Sequence, residues 1–92
     1  MLIELGSYLF TVKETLNHSK CINLECLNVI TSMTEELCID LTQKPNYLFG
    51  RKNNNDFARD DQHMSGTHAK IFFFNGKFFL EDIDSTNGYI FY

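Results

Sequence analysis

The chain has 92 residues, and its 12 acidic side chains outnumber its 8 basic ones, which gives a formal net charge of -4. A chain of this length is expected to form one domain around one modest core. The acidic balance excludes a role built on binding long nucleic acids, because contacts to a phosphate backbone need a basic footprint. With 43% hydrophobic residues and a single Pro, the composition is that of a folded domain rather than a disordered segment.

No signal in the sequence points to a membrane or to secretion. No apolar run approaches the roughly 20 residues that a spanning helix needs. The N-terminus has no basic leader, and Glu4 interrupts its apolar run, so we expect an intracellular protein. No basic cluster distinguishes nucleus from cytoplasm. Cys21, Cys26 and Cys38 form no Cys-x-x-Cys pair, and we expect small buried thiols without a metal.

The first half of the chain contains two clear strands and two ambiguous segments. Residues 1–20 fit a short strand or an amphipathic turn equally well, and we interpret them as an N-terminal extension or an extra strand. Apolar and polar residues alternate over 21–26, which predicts a half-buried strand. The same alternation recurs over 37–42, but the Ser-Met-Thr-Glu sequence at 32–35 has the form of a helix capping box. Local pattern therefore leaves residues 32–42 open between helix and strand.

The second half begins with a turn at residues 44–46 and a short strand over 47–49 that ends at Gly50. Residues 51–64 are polar and predict a loop with at most one short strand around Phe57. Asn75-Gly76 between two aromatic runs predicts a type I′ hairpin, because both central residues need positive φ. The Phe run is apolar on both faces, so we expect cover on both sides. Short strands without a convincing helix favour an all-β, two-sheet antiparallel β-sandwich.

Three short motifs carry most of the functional information. Gly50-Arg51 ends a strand, Ser-Gly-Thr-His at 65–68 precedes the Phe hairpin, and Ser-Thr-Asn-Gly at 85–88 follows it. Arginine can bind a phosphate or carboxylate bidentately, and hydroxyls can donate to the remaining oxygens. Glycines at 50, 66 and 88 allow close backbone approach. These groups suit a small anion and include no obvious machinery for breaking bonds.

In this order and spacing, the three motifs resemble the forkhead-associated (FHA) domain family. Further similarities are the Asn-Asn-Asp-Phe sequence at 54–57, His-Ala-Lys-Ile at 68–71 and Phe-Leu-Glu-Asp at 79–82. The resemblance covers residues 21–92 and is densest over 47–88. It implies an FHA/SMAD-like β-sandwich whose loops at one end bind phosphothreonine peptides. It also favours strand over helix for residues 32–42.

The resemblance implies a role for each residue of the peptide site. Arg51 would contact the phosphate or the nearby peptide backbone, Ser65 would donate its hydroxyl, and Thr86 would add a phosphate contact. Asn87 would hydrogen-bond the peptide main chain beside the phosphothreonine. Gly66 stands where many family members have Asn, Arg or Lys reaching the phosphate. That departure should weaken binding, although the glycine N–H can still donate.

Supporting roles fall to neighbouring residues. By resemblance, Gly50, His68 and Gly88 would hold the binding loops in shape, and His63 is a candidate for choosing the peptide sequence after the phosphothreonine. The family continues through further strands beyond its Ser-Thr-Asn-Gly motif, whereas this sequence stops at Tyr92. We therefore expect residues 21–92 to form an FHA-like domain that lacks its last C-terminal strands, unless residues 1–20 help to cover the open edge.

The principal prediction is a non-catalytic module that binds a phosphothreonine protein or peptide without a cofactor. Residues 46–78 contain five basic and three acidic side chains, a local charge of +2. One alternative is a degenerate sandwich that mediates phosphate-independent contacts or oligomerisation. A remote alternative is a hydrolase using Ser65, His68 and Asp84, although no Gly-x-Ser-x-Gly elbow exists. The sequence predicts no oligomeric state.

Overall fold

A computed structural model describes residues 2–16, 19–83 and 89–91, which form nine β-strands and contain no α-helix. The strands are β1 (Leu2–Leu5), β2 (Tyr8–Leu16), β3 (Cys21–Asn28), β4 (Thr34–Asp40), β5 (Asn46–Gly50), β6 (Phe57–Ala58), β7 (Ala69–Phe74), β8 (Lys77–Asp82) and β9 (Tyr89–Phe91). The open segment over 32–42 is thus strand from Thr34 to Asp40, as the resemblance indicated, and residues 41–42 form a turn.

The strands form two sheets. The first has the order β1-β2-β3-β4 and the second the order β6-β5-β7-β8-β9. Every pairing is antiparallel except that of β5 with β6, which is parallel and joins Phe49 to Phe57 and Gly50 to Ala58. The predicted all-β architecture of two sheets is confirmed, with this one short parallel pairing at the edge of the second sheet.

The N-terminal residues are strands rather than a turn. β1 and β2 form a hairpin whose two-residue loop is Gly6-Ser7, and Gly6 has a φ of 58°. Positive φ at the first loop position is typical of a type II′ turn. β2 then pairs with β3 from Tyr8 opposite Asn28 to Leu16 opposite Cys21. Residues 2–16 therefore supply two of the four strands of the first sheet.

One hydrophobic core lies between the sheets. The ring of Phe10 on β2 meets those of Phe49 on β5 and Phe57 on β6, with centroids 5.2 and 5.3 Å apart and steep interplanar angles. Such edge-to-face contacts are the preferred geometry of aromatic pairs. The buried apolar residues are Ile3, Leu5, Phe10, Val12, Ile22, Leu24, Cys26, Ile39, Leu41, Phe49, Phe57, Met64, Ala69, Ile71, Phe78 and Leu80. Both sheets contribute to this set, so the architecture is a sandwich.

The Asn75-Gly76 hairpin is confirmed, with φ values of 52° and 77° at the two turn residues. The expectation that both of its faces are covered is wrong at Phe74, which is 60% exposed. Alternation along β7 turns Ile71 toward the core and Phe74 outward, and the first sheet covers only the inner face.

The three cysteines differ in environment. Cys26 is buried as expected, and burial, reinforced by nearby Glu35, raises the pKa of its thiol to about 11, with Arg59 opposing the shift. Cys21 is partly buried, and the expectation of burial is wrong for Cys38, which is exposed. β4 is the last strand of its sheet, and it directs Cys38 away from the core.

Candidate functional site

Two of the predicted motifs are joined by their backbones at one end of the sandwich. The N–H of Arg51 donates to the carbonyl of Ser65 at 2.9 Å, and the N–H of Lys52 donates to the carbonyl of Gly66 at 3.1 Å. Closer to the paired strands, the N–H of His68 donates to the carbonyl of Phe49 on β5 at 2.8 Å. These bonds extend the β5–β7 pairing beyond the strands, so the loops that follow β5 and precede β7 are fixed side by side.

Gly50 permits this close approach. A Cβ atom at position 50 would lie 2.3 Å from the carbonyl oxygen of Gly66 and 2.5 Å from Nδ2 of Asn55. Real Cβ atoms do not approach backbone oxygens that closely, so any side chain at this position would push the two loops apart. The supporting role of Gly50 stays a prediction, and this close contact gives a physical reason for it.

His68 organises its own loop. Its Nδ1 accepts a hydrogen bond from the backbone N–H of Ser65 at 3.2 Å, and its carbonyl accepts one from Ile83 at 2.9 Å. The first bond closes the Ser-Gly-Thr-His loop, and the second ties that loop to the segment after β8. The Nδ1 of His68 therefore acts as an acceptor for backbone, which agrees with a role in shaping the loop. Asp84, the third member of the hydrolase alternative, lies outside the described residues.

Asn55 is a supporting residue to which the sequence analysis gave no role. Its side chain is 7% exposed, and its Nδ2 donates to the carbonyls of Lys52 at 2.9 Å and Gly66 at 2.6 Å. Both amide hydrogens are thus used to bridge the two loops. The sequence signal at Asn55 was its place in residues 54–57, which resemble the family. Its burial and its bridging role became visible only in the structure.

Arg51 stands at the open side of these loops. Its side chain is 51% exposed, and its Nε donates to Oδ1 of Asp60 at 3.2 Å. The side chain of Asp60 is 93% exposed, and it orients the guanidinium. The two terminal nitrogens of Arg51 have no hydrogen-bond partner within the described ranges, so they are available to an anion.

Arg51, Ser65 and Gly66 line one open cleft of about 770 Å³, and its other lining residues are Lys52, Asn53, Asp60 and Met64. The structure therefore brings together three of the five predicted peptide-contacting residues. The other two, Thr86 and Asn87, lie outside the described residues, as does the supporting residue Gly88. Among the lining side chains, two cations face one carboxylate, so the cleft has a local charge of +1.

His63 lies beside this cleft rather than in it. It is exposed and lines a second cleft with Ile30 and Thr31, and Asp60 belongs to the walls of both clefts. The role of His63 in peptide selection stays a prediction.

Asp61 connects the loop before Ser65 to the N-terminal hairpin. Its carboxylate accepts hydrogen bonds from the backbone N–H of Ser7 at 2.7 Å and from that of His63 at 2.9 Å. Desolvation acts to raise the pKa of Asp61, but the bonds from His63 and Ser7 outweigh it and hold the pKa below its ordinary value. Asp61 is therefore a structural acceptor that ties this loop to the hairpin.

At this end of the sandwich, two loops joined by backbone hydrogen bonds flank an open cleft, and an exposed arginine lines it. The family model for the FHA domain matches residues 47–91, which span β5 to β9. This match confirms the resemblance to the FHA family over residues 47–91. FHA domains are generally phosphoprotein-binding interaction modules rather than enzymes. A search of curated proteins finds no match to the chain.

No helix in residues 2–16, 19–83 and 89–91 is long and apolar enough to cross a membrane. Within the same ranges, no group of three or more His, Cys, Asp or Glu side chains is placed to hold a metal ion.

Proposed function

We propose that the chain binds phosphothreonine peptides through the Arg51 cleft. The observation that carries the proposal is that Arg51 and Ser65, from motifs 14 positions apart, line one cleft and are joined by a backbone hydrogen bond of 2.9 Å. A guanidinium beside a hydroxyl-bearing loop is a suitable arrangement for a phosphate monoester. The family match supports phosphoprotein binding in general. The preference for phosphothreonine over phosphoserine is what the resemblance implies.

In this proposal the terminal nitrogens of Arg51 contact the phosphate, and Ser65 and the N–H of Gly66 donate to its other oxygens. Thr86 and Asn87 keep the roles that the resemblance implies, a further phosphate contact and a hydrogen bond to the peptide main chain. The resemblance also implies a small apolar slot for the threonine methyl group, which would discriminate against phosphoserine.

The charge of the protein is compatible with this ligand. A phosphothreonine carries a charge of about -1.5 to -2 at neutral pH. The molecule has a net charge of -4, but its acidic excess lies mainly outside the segment of residues 46–78. Exposed charges farther away than about 8 Å are largely screened at physiological ionic strength, so the cations of the cleft dominate the local interaction.

Calorimetric titration tests the proposal with three peptides of identical sequence that contain phosphothreonine, phosphoserine or threonine. The common sequence of these peptides is first selected from a random peptide library in which only the central phosphothreonine is fixed. We expect the phosphothreonine form to bind most tightly and the threonine form not to bind. Equal binding of all three forms would favour the degenerate, phosphate-independent alternative. Absence of phosphate-dependent binding by the folded protein would refute the proposal.

Replacing the arginine gives the sharpest single variant. Arg51→Ala should weaken phosphothreonine binding by about 10- to 100-fold, because it removes charge-assisted hydrogen bonds to the phosphate. Stability should change by less than about 1 kcal/mol, since an exposed ion pair contributes little. Lys13→Ala is the matched control, because Lys13 is also 51% exposed and pairs with Glu25 on the other sheet. Normal binding by Arg51→Ala would remove Arg51 from the site.

A further inference from the structure

Position 66 has no side chain, and the side chain of a neighbouring loop fills its space. A Cβ atom built on Gly66 would lie 2.9 Å from Cε of Lys52, 3.3 Å from its Cδ and 3.4 Å from its Cγ. The stem of Lys52 therefore runs along the glycine where another residue's side chain would begin. The backbone bond from Lys52 N–H to the Gly66 carbonyl holds the two residues together.

The ammonium of Lys52 is not held in an ion pair among the described residues. Each of five other cations has a carboxylate partner: Lys13 with Glu25, Lys44 with Asp56, Arg51 with Asp60, Arg59 with Glu35, and Lys70 with Glu81. Lys52 is exposed and lines the cleft that contains Arg51 and Ser65, and it has no ion-pair partner in the described part of the chain. An ammonium in such a position can approach an anion without first breaking an ion pair.

We propose that Lys52 is a phosphate-binding residue of this cleft and supplies, from the loop after β5, the cation that Gly66 cannot provide. The proposal rests on the proposed phosphothreonine function and adds a residue to it. In this arrangement Gly66 contributes its backbone N–H and the room for the lysine stem. Arg51 and Lys52 then reach the phosphate from the same loop, and Ser65 reaches it from the opposite one.

The chemistry of lysine predicts how this contact behaves. An ammonium is a compact point charge on a flexible stem, whereas arginine presents a planar fork with fixed geometry. The contribution of Lys52 should therefore depend on the charge of the ligand more than on its orientation. It should also decrease with added salt, because an exposed pair of charges is screened.

The test measures affinity for the phosphothreonine peptide of the calorimetric titration. Lys52→Ala and Lys52→Gln should each weaken binding by about fivefold, as expected for one exposed charge-assisted contact. The glutamine variant keeps most of the stem against Gly66, so it separates loss of charge from loss of packing. Lys13→Ala, a lysine on the other sheet, is the control and should bind normally. An unchanged amide NMR spectrum away from the cleft verifies the fold.

A double variant that moves the positive charge from position 52 to position 66 gives a second, independent test. In Lys52→Ala/Gly66→Lys the ammonium returns from position 66, where the backbone does not have a left-handed φ and the space has been vacated. This double variant should recover at least half of the lost affinity, measured as log Kd. Recovery supports a charge role for Lys52, which a merely structural role would not produce.

The outcomes separate the two proposals. If the wild type binds the phosphopeptide and Lys52→Ala and Lys52→Gln bind equally well, the inference about Lys52 is overturned while the proposed function stands. If Lys52→Ala is weak but Lys52→Gln is normal, packing rather than charge is responsible, and the inference also fails. If the wild type shows no phosphate-dependent binding, both proposals fail together.

Discussion

At the scale of single residues, the site depends on groups that never need to touch a ligand. Asn55 uses both hydrogens of its amide to join the carbonyls of Lys52 and Gly66, and Gly50 leaves room for that bridge. The cleft is therefore shaped by buried contacts beneath it, and exposed side chains such as Arg51 are placed on top. A change at a buried bridge should affect stability and binding together, whereas a change at an exposed side chain should affect binding alone.

Asn55→Ala should lower the free energy of unfolding by about 1–3 kcal/mol, because two carbonyls lose their shared donor. Asn55→Asp, which keeps the shape but not the donors, should be at least as damaging. Asn54→Ala is the control at an exposed neighbouring position and should change stability by less than about 0.5 kcal/mol. Urea denaturation measures all three variants. Equal stability of the two alanine variants would contradict the bridging role.

At the scale of elements, two hairpin turns contain a glycine with positive φ, Gly6 and Gly76, but only the Gly6 turn packs against the loop beside the cleft. A Cβ atom on Gly76 would meet nothing within 4 Å, whereas one on Gly6 would lie 2.7 Å from Oδ2 of Asp61. The β1–β2 hairpin therefore touches the loop that precedes Ser65. Backbone conformation and tertiary contact can be separated by comparing the two glycines.

Gly76→Ala should destabilise the protein by about 1 kcal/mol, the cost of a left-handed φ at a non-glycine residue. Gly6→Ala should cost about 2 kcal/mol or more, because it adds a clash to the same backbone penalty. Urea midpoints give the comparison. Amide shifts at residues 61–65 that change for Gly6→Ala and not for Gly76→Ala would identify the loop as the part displaced. Equal destabilisation by the two substitutions would mean that the contact between Gly6 and Asp61 does not affect stability.

The same contact predicts a pH dependence. Hydrogen bonds lower the pKa of Asp61 in the folded state, so its stabilising effect is complete above the pKa of the unfolded chain, about 3.9. That effect is lost as the pH falls through the lower, folded pKa. Asp61→Asn should therefore be less stable than the wild type at pH 7, and the difference should narrow in acid.

Denaturation at pH 7, 5 and 3 measures this difference. Asp60→Asn is the control, because Asp60 accepts no backbone hydrogen bond among the described residues and is 93% exposed. The free energy of unfolding of Asp60→Asn should differ little from that of the wild type at every pH. A constant gap between Asp61→Asn and the wild type would show that protonation of Asp61 is not linked to folding.

Local signals in the sequence predicted local structure well. Asn75-Gly76 predicts its turn because these two residues tolerate the positive φ that the turn requires. The alternation over 21–26 predicts which side of β3 is buried. The strands over 2–16 and 34–40 were ambiguous, because their conformation depends on pairing with neighbouring strands of the first sheet, which no local pattern encodes. The bridge by Asn55 and the position of Lys52 over Gly66 are likewise contacts between loops distant in sequence.

At the scale of the whole molecule, an acidic sandwich presents a small cationic cleft at one end. Its net charge of -4 argues against long polyanions, and one phosphate group requires only the local cations at Arg51 and Lys52. The N-terminal hairpin and the FHA-matching residues 47–91 form one core through contacts such as that of Phe10 with Phe49. Changes in the N-terminal hairpin are therefore expected to act on the cleft through packing.

The most direct test of the account is an amide NMR titration of the chain with a phosphothreonine peptide and its unmodified counterpart. The account predicts that the phosphorylated peptide shifts the amides of Arg51, Lys52, Ser65 and Gly66 in a saturable way, and that the unmodified peptide leaves them in place. Phosphate-dependent shifts confined to another surface, such as the outer face of β2 and β3, would contradict it. The complete absence of phosphate-dependent shifts in a folded protein would contradict it equally.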